Sequence, residues 1–109
     1  MKAASAPIGT REVEVVGKPA GCKLLRISAS VRPAGAGAEP CFVVEGISIR
    51  GDFFAVPEEE FEEIEVALGG VLLSGLAARF EVLTTQAGIQ CVGISGKGIQ
   101  TLLEEALHG

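Results

Sequence analysis

The residues of this 109-residue chain best suited to covalent or metal chemistry are three cysteines and one histidine. Cys22, Cys41 and Cys91 lie far apart, without a Cys-x-x-Cys pair, and His108 is the penultimate residue. A structural zinc takes four sulfur or nitrogen ligands, normally including one closely spaced pair, so this spacing argues against a metal site. A nucleophilic dyad needs a histidine within reach of a thiol or hydroxyl, whereas His108 sits on a terminus expected to fray. No catalytic residue is assigned. In a reducing compartment the thiols are expected to be free and mostly buried as small apolar side chains. Cys41 opens a strand after a glycine-rich loop and is the candidate for an exposed thiol of lowered pKa. Cys91 lies in an apolar segment and reads as buried.

Charged and glycine-rich positions offer two further kinds of chemistry. Paired carboxylates can do acid–base work when a cleft separates their pKa values, but the Glu58–Glu65 cluster has helical spacing and reads as a solvated face. Gly93-Ile94-Ser95-Gly96-Lys97-Gly98 precedes a helical pattern, where free amides and the helix dipole can hold an anion. Ser95, Gly96 and Lys97 are therefore candidate anion-binding residues. The run is not a P-loop, because Gly98 follows Lys97 where Ser or Thr is needed and the upstream glycine is misplaced. A simple cap by Ser95 accounts for the same residues.

The elements that must position these groups follow from periodicity. Arg11–Val16 alternates with Val13 and Val15 on one side, an edge strand closed by Gly17. Lys18-Pro19-Ala20-Gly21 is a turn, with proline presetting its first corner. From Lys23 to Arg32, Leu25, Ile27, Ala29 and Val31 share one face and Arg26, Ser28, Ser30 and Arg32 the other, as in a sheet with one wet face. Residues 33–40 hold nothing apolar larger than alanine and are expected to form a flexible hairpin loop. The strand from Cys41 to Arg50 changes parity between Phe42/Val44 and Ile47/Ile49, and a β-bulge at Glu45-Gly46 would bring both pairs to one core.

Three helices follow. The first starts near Pro57 as its first residue, sets Glu58, Glu59 and Glu60 against the positive end of its dipole, buries Phe61, Ile64 and Leu68, and ends at Gly69-Gly70. The second spans about Ser74–Ala87, with Leu76, Phe80 and Leu83 inward and Gly88 as its stop. After the extended piece Ile89–Val92, a last helix carries Ile99, Leu102, Leu103, Ala106 and Leu107 at i, i+3, i+4, i+7 and i+8. Strands first and helices after make an α+β fold, a small antiparallel sheet covered on one face by about three helices. A flexible terminus over residues 1–10 and a single domain over 11–109 are expected.

Composition narrows the class. Apolar residues make up 48% of the chain and mean hydropathy is +0.43, which argues strongly against a disordered chain. No apolar run reaches the roughly 20 residues that span a bilayer, and the first residues lack the apolar core of a signal peptide, so a cytoplasmic protein is expected. The net charge of −5 divides into +3 over residues 1–51 and −8 over 52–109. An acidic chain without a basic stripe, Trp or Tyr is poorly suited to nucleic acid.

Three segments, in order, resemble the accessory (C-terminal) domain of lipoate–protein ligases. Lys18-Pro19-Ala20-Gly21-Cys22-Lys23-Leu24 is similar to that family's Lys-x-x-Gly-Gly-Lys-Leu lead-in to a strand. Gly51-Asp52-Phe53-Phe54, followed by Pro57-Glu58-Glu59 and a glycine-ended helix, is the most specific match. The closing helix after an Ile-rich segment, Val92–Leu107, is the third, so the resemblance covers residues 18–107. Cys22 departs from the family's second glycine, and Ser95-Gly96-Lys97-Gly98 from its usual Thr/Ser-Pro-acidic opening. The stretch between Gly70 and Gly88 is also less polar than in the family.

In that family a catalytic domain uses ATP to convert lipoate to lipoyl-adenylate and transfers the acyl group to a lysine of a carrier domain. The accessory domain is fused or separate, and this chain resembles the separate-subunit form. The resemblance implies a non-catalytic partner of a ligase catalytic subunit, meeting the lipoyl carrier domain at most indirectly. ATP and lipoate would be used by the partner, and no cofactor would be held by this chain. It points to partner contacts through Lys18, Gly21 and Lys23 and through Arg50, Gly51, Asp52, Phe53 and Phe54. At least one of the two phenylalanines is expected in the core, and Asp52 is expected to accept hydrogen bonds from amides at the adjacent helix start. The accessory fold is also similar to sulfur-acceptor and iron–sulfur scaffold proteins, for which Cys41 would be the working thiol. A plain interaction or dimerisation module is the third reading.

Overall fold

The alternating run after Lys23 forms the central strand of the sheet. In the computed structural model, which describes residues 11–33 and 42–108, β1 is Arg11–Gly17, β2 Leu25–Pro33 and β3 Phe42–Gly51. Side chains of a strand alternate between faces, and β2 places Leu25, Ile27, Ala29 and Val31 inward, all buried. Its other face is wet: Ser30 Oγ donates to Glu12 at 2.6 Å and Ser28 Oγ to Glu14 at 3.3 Å, across the antiparallel β1 pairing.

The expected bulge is present. Ser30 pairs with Gly46 and Val31 with Val44, so Glu45 is the extra residue of β3. The added residue returns Ile49 to the core face already occupied by Val44, and both are fully buried. Glu45 points to the wet face and pairs with Arg32 at 2.7 Å.

Three further strands are short, and the sequence anticipates only the one at Gln90–Val92, as the extended piece Ile89–Val92. β4 is Phe54–Val56 and β6 Gln90–Val92, and together they form a separate two-stranded antiparallel ribbon. β5, Val71–Leu72, pairs with Val43 and Val44 and completes a four-stranded sheet of order β1-β2-β3-β5.

The helices are α1 (Glu58–Ala67), α2 (Leu76–Ala87, after a 3-10 turn at Leu73–Gly75) and α3 (Gly96–His108). Pro57 is the residue before the first helical turn, still extended at ψ 142°, so α1 starts one residue later than expected. Leu76, Phe80, Ile64, Phe61, Ile99 and Leu103 meet the inward face of the sheet in one core. Gly88, at φ 71°, ends α2 in the left-handed conformation that glycine adopts without steric cost. The fold is α+β, as expected. The expected flexible terminus, the 33–40 loop beyond Pro33 and Cys41 lie outside the described residues. No helix among those described is long and apolar enough to cross a membrane.

Candidate functional site

The two segments singled out for partner contact, far apart in sequence, meet in space. A turn closes with Cys22 N–H donating to the Pro19 carbonyl at 2.9 Å and Gly21 at φ 78°. Pro19 therefore opens the turn rather than forming its first corner. Past this turn, the Leu24 carbonyl accepts from the Asp52 amide at 3.0 Å. Gly51, at φ 145°, lies directly on that carbonyl, so close that any side chain there would overlap it. Close backbone approach of this kind is open only to glycine.

A third segment joins them. Lys23 N–H donates to the Gly93 carbonyl at 2.8 Å, and a Cβ on Gly93 would fall 2.6 Å from Lys23 Cγ and 3.5 Å from Phe53 Cα. The corner is thus built from Pro19–Leu24, Gly51–Phe53 and Gly93–Ser95, with Lys23 lying across Gly93. Lys18, Gly21, Lys23 and Asp52 are exposed at its surface. Asp52 contributes its backbone amide to the corner, and no hydrogen bond joins its carboxylate to the start of α1. No side chain hydrogen-bonds as a cap at the start of α1, where Glu58, Glu59 and Glu60 instead set negative charge against the positive end of the helix dipole.

The two phenylalanines divide as their neighbours dictate. Phe53 packs on Phe61 with ring centroids 5.2 Å apart, and Phe61 packs edge-on against Phe80 at 6.1 Å, so the corner is tied to the core through an aromatic chain. Phe54 is 70% exposed. It pairs across the ribbon with Val92, and Val56 lies two residues on; these are 61% and 63% exposed, so the outer face of β4–β6 is apolar. The sequence offered one signal of this patch, the extended piece at Ile89–Val92, but not the strand that pairs with it.

Arg50 projects from the end of β3, its guanidinium donating to the Ile49 carbonyl at 3.0 Å and lying 3.5 Å from Glu65. A groove of about 520 Å3 opens here between β3 and α1, lined by Arg50, Phe53, Phe54, Glu58, Phe61 and Glu62. A second, of about 520 Å3, continues it past Glu65 toward Glu45 and Gly69.

At the start of α3, Ser95 is the cap: its Oγ accepts from Gly98 N–H at 3.0 Å. The Gly96 amide donates to the Glu81 carboxylate at 3.0 Å, so a side chain of α2 already supplies an anion there. Of the candidate anion-binding groups, the Lys97 amide and ammonium have no such acceptor among the described residues. Gly96 also rests on Ala77, where a Cβ would come 2.6 Å from the carbonyl oxygen.

Cys22 is buried and its sulfur lies 3.5 Å from Ser95 Oγ. Cys91 is half-buried, and burial, with the nearby Glu81 carboxylate adding to it, pushes its thiol above the ordinary 9.0. A reactive cysteine needs the opposite shift. Among the described residues no three His, Cys, Asp or Glu side chains converge in a geometry for a metal ion.

No protein-family model matches this chain, and no curated protein does. Among solved structures it is similar to a chain of an archaeal lipoylation system from Thermoplasma acidophilum, a bipartite lipoate protein ligase and its E2 lipoyl domain. The superposition has a TM-score of 0.62 at 19% identity and covers 86% of this chain and 96% of that one, a likeness of fold.

Proposed function

We propose that this chain is a non-catalytic accessory subunit that docks on a lipoate–protein ligase catalytic subunit and supports ATP-dependent lipoate adenylation. The observation that carries this reading is the likeness over nearly the whole length of a chain from a bipartite lipoylation system. The motifs at residues 18–24 and 51–69 support it from the sequence side, and their convergence into one corner gives a docking surface. ATP and lipoate are substrates of the partner, which alone contributes the reacting groups.

The accessory unit acts by favouring the partner conformation competent for adenylation, a shift of population rather than added chemistry. Lys18, Lys23 and Asp52 supply charge at the corner, and Gly21 and Gly51 shape its backbone. Arg50 and Phe54 extend it toward α1 and the ribbon, while Phe53 anchors it from within.

The test is lipoate-dependent ATP–pyrophosphate exchange with the catalytic subunit from the same organism, each protein alone serving as control. Exchange only in the mixture is expected. Equal exchange by the catalytic subunit alone, with no complex formed, would refute the proposal. Lys23→Ala and Asp52→Ala are expected to weaken stimulation while leaving the fold intact, and full stimulation by both would remove the corner from the interface.

A further inference from the structure

The open edge of β3 faces a groove whose other wall is acidic, and nothing in the adenylation reading assigns it a role. β3 runs from Phe42 to Gly51, but β5 covers it only at Val43 and Val44. From Ile47 onward the edge turned away from β2 has no strand beside it among the described residues. The Ile49 amide instead donates to the Glu65 carboxylate of α1 at 2.6 Å, where a neighbouring strand would place a carbonyl. Helix α1 stands off from this edge and leaves the two cavities, which share Arg50, Glu62 and Glu65 and so form one continuous groove.

Charge on the groove is unbalanced. Glu45, Glu58, Glu62 and Glu65 line it against a single cation, Arg50. Glu45 is matched by Arg32 and Glu65 by Arg50, whereas Glu58 and Glu62 have no ion pair among the described residues. Its floor near the corner is apolar, from Phe53 and Phe61, and exposed Phe54 stands at its mouth.

We propose that this groove receives an extended, basic segment of the catalytic partner, which adds as a strand to β3 at Ile47–Gly51. Its Lys or Arg side chains lie toward Glu58 and Glu62. Strand addition draws affinity from main-chain hydrogen bonds and specificity from the side chains of alternate residues, and this groove offers both an unpaired edge and a wall of one sign. Until the partner arrives, Glu65 occupies the edge amide, a protection of the sort that natural sheets use against unwanted pairing. The inference rests on the accessory-subunit reading, since it takes the occupant from the catalytic subunit.

The experiment compares two double charge reversals on one helix. Glu58→Lys/Glu62→Lys changes the groove wall, and Glu59→Lys/Glu63→Lys makes the same charge change on exposed residues outside the groove lining. Affinity for the catalytic subunit is measured by calorimetry, and amide hydrogen exchange of Ile47 and Gly51 is followed with and without it. We expect the groove variant to weaken binding at least tenfold and the off-groove variant less than about threefold, in line with the effects of desolvated and rim charges. We also expect exchange at the β3 edge to slow in the complex.

A complex that forms equally well with both variants, or leaves β3 exchange unchanged, overturns the groove assignment and leaves the accessory reading standing. If the wild-type chain forms no complex, the accessory reading fails. A synthetic Lys–Val alternating peptide then decides the groove: equal binding to the two double variants overturns it as well.

Discussion

Replacing Gly51 by alanine tests whether the corner is held by backbone contact. At φ 145° the residue sits where L side chains are strained, and its Cβ would overlap the Leu24 carbonyl that accepts the Asp52 amide. Backbone strain of this kind costs roughly 1–3 kcal/mol. An atom forced into a packed site costs about 1–3 kcal/mol more. Relief by movement of Leu24 would break the Asp52 bond and pull on Leu25, which is fully buried at the start of β2.

The two terms give about 2–6 kcal/mol, a large share of a domain's usual 5–15 kcal/mol, and at roughly 4–8 °C per kcal/mol a fall in Tm of about 8–48 °C. Urea unfolding of the isolated chain reads the change directly. Gly21→Ala and Gly46→Ala are the controls. The first shares positive φ, at 78°, but has nothing within 4 Å of a new Cβ, so only a conformational cost of roughly 1–2 kcal/mol remains. The second has ordinary φ and open space and is expected to change stability by less than about 1 kcal/mol. A Gly51→Ala cost under about 1 kcal/mol, or one equal to that of Gly21→Ala, would refute the close-approach account.

Glu65→Ala leaves the Ile49 amide without its acceptor and is expected to cost about 1–3 kcal/mol; Glu65→Gln, which keeps an acceptor oxygen, is expected to lose less than half as much by urea unfolding. Ser95→Ala removes the α3 cap at Gly98 and is expected to cost about 1 kcal/mol on the same assay. Cys91 is raised by burial, so its thiolate is disfavoured in the folded state; iodoacetamide labelling at pH 8 is expected to be slower at Cys91 in the native chain than in urea. The same shift makes its contribution to stability fully present below pH 9 and lost as pH rises through the folded-state value. Labelling at equal rates in both states would contradict the burial of this thiol.

The main sheet and helices were legible because each carried a long period. Four buried residues alternating along β2 and the 3.6-residue repeat of α3 leave little choice of element. The bulge was legible for the same reason, since a parity change within one strand has few physical solutions. β4 and β5 were not, because two or three residues cannot display a period. Phe54-Ala55-Val56 forms a strand only because Gln90–Val92 lies beside it, with Ala55 paired to Cys91, 36 residues on in sequence. The corner was legible as two motifs but not as one place. Gly93 entered it through a backbone bond to Lys23, and no side-chain pattern announces a carbonyl. The acidic face of α1 was read as solvated; that it fronts an open sheet edge follows from where β5 stops, which the sequence does not mark.

Under the accessory-subunit proposal, a corner made of backbone hydrogen bonds and glycine contacts would suit the shifting of a partner's conformational equilibrium. Binding must supply a difference in affinity between the partner's two conformations, and moving an equilibrium from 1:99 to 99:1 takes about 5.5 kcal/mol. Ordering flexible side chains on docking consumes about 0.5–1.5 kcal/mol for each one immobilised. A surface already fixed avoids most of that cost, and here Leu24, Asp52, Lys23 and Gly93 are joined before any partner arrives. Phe53 extends the rigidity inward through Phe61 to Phe80. A loosened corner would still bind but would discriminate less between the partner's states. Gly51→Ala, studied at a temperature where the chain stays folded, is therefore expected to lower stimulation of adenylation by more than it lowers affinity for the catalytic subunit. Equal losses in both would mean that the corner contributes affinity alone.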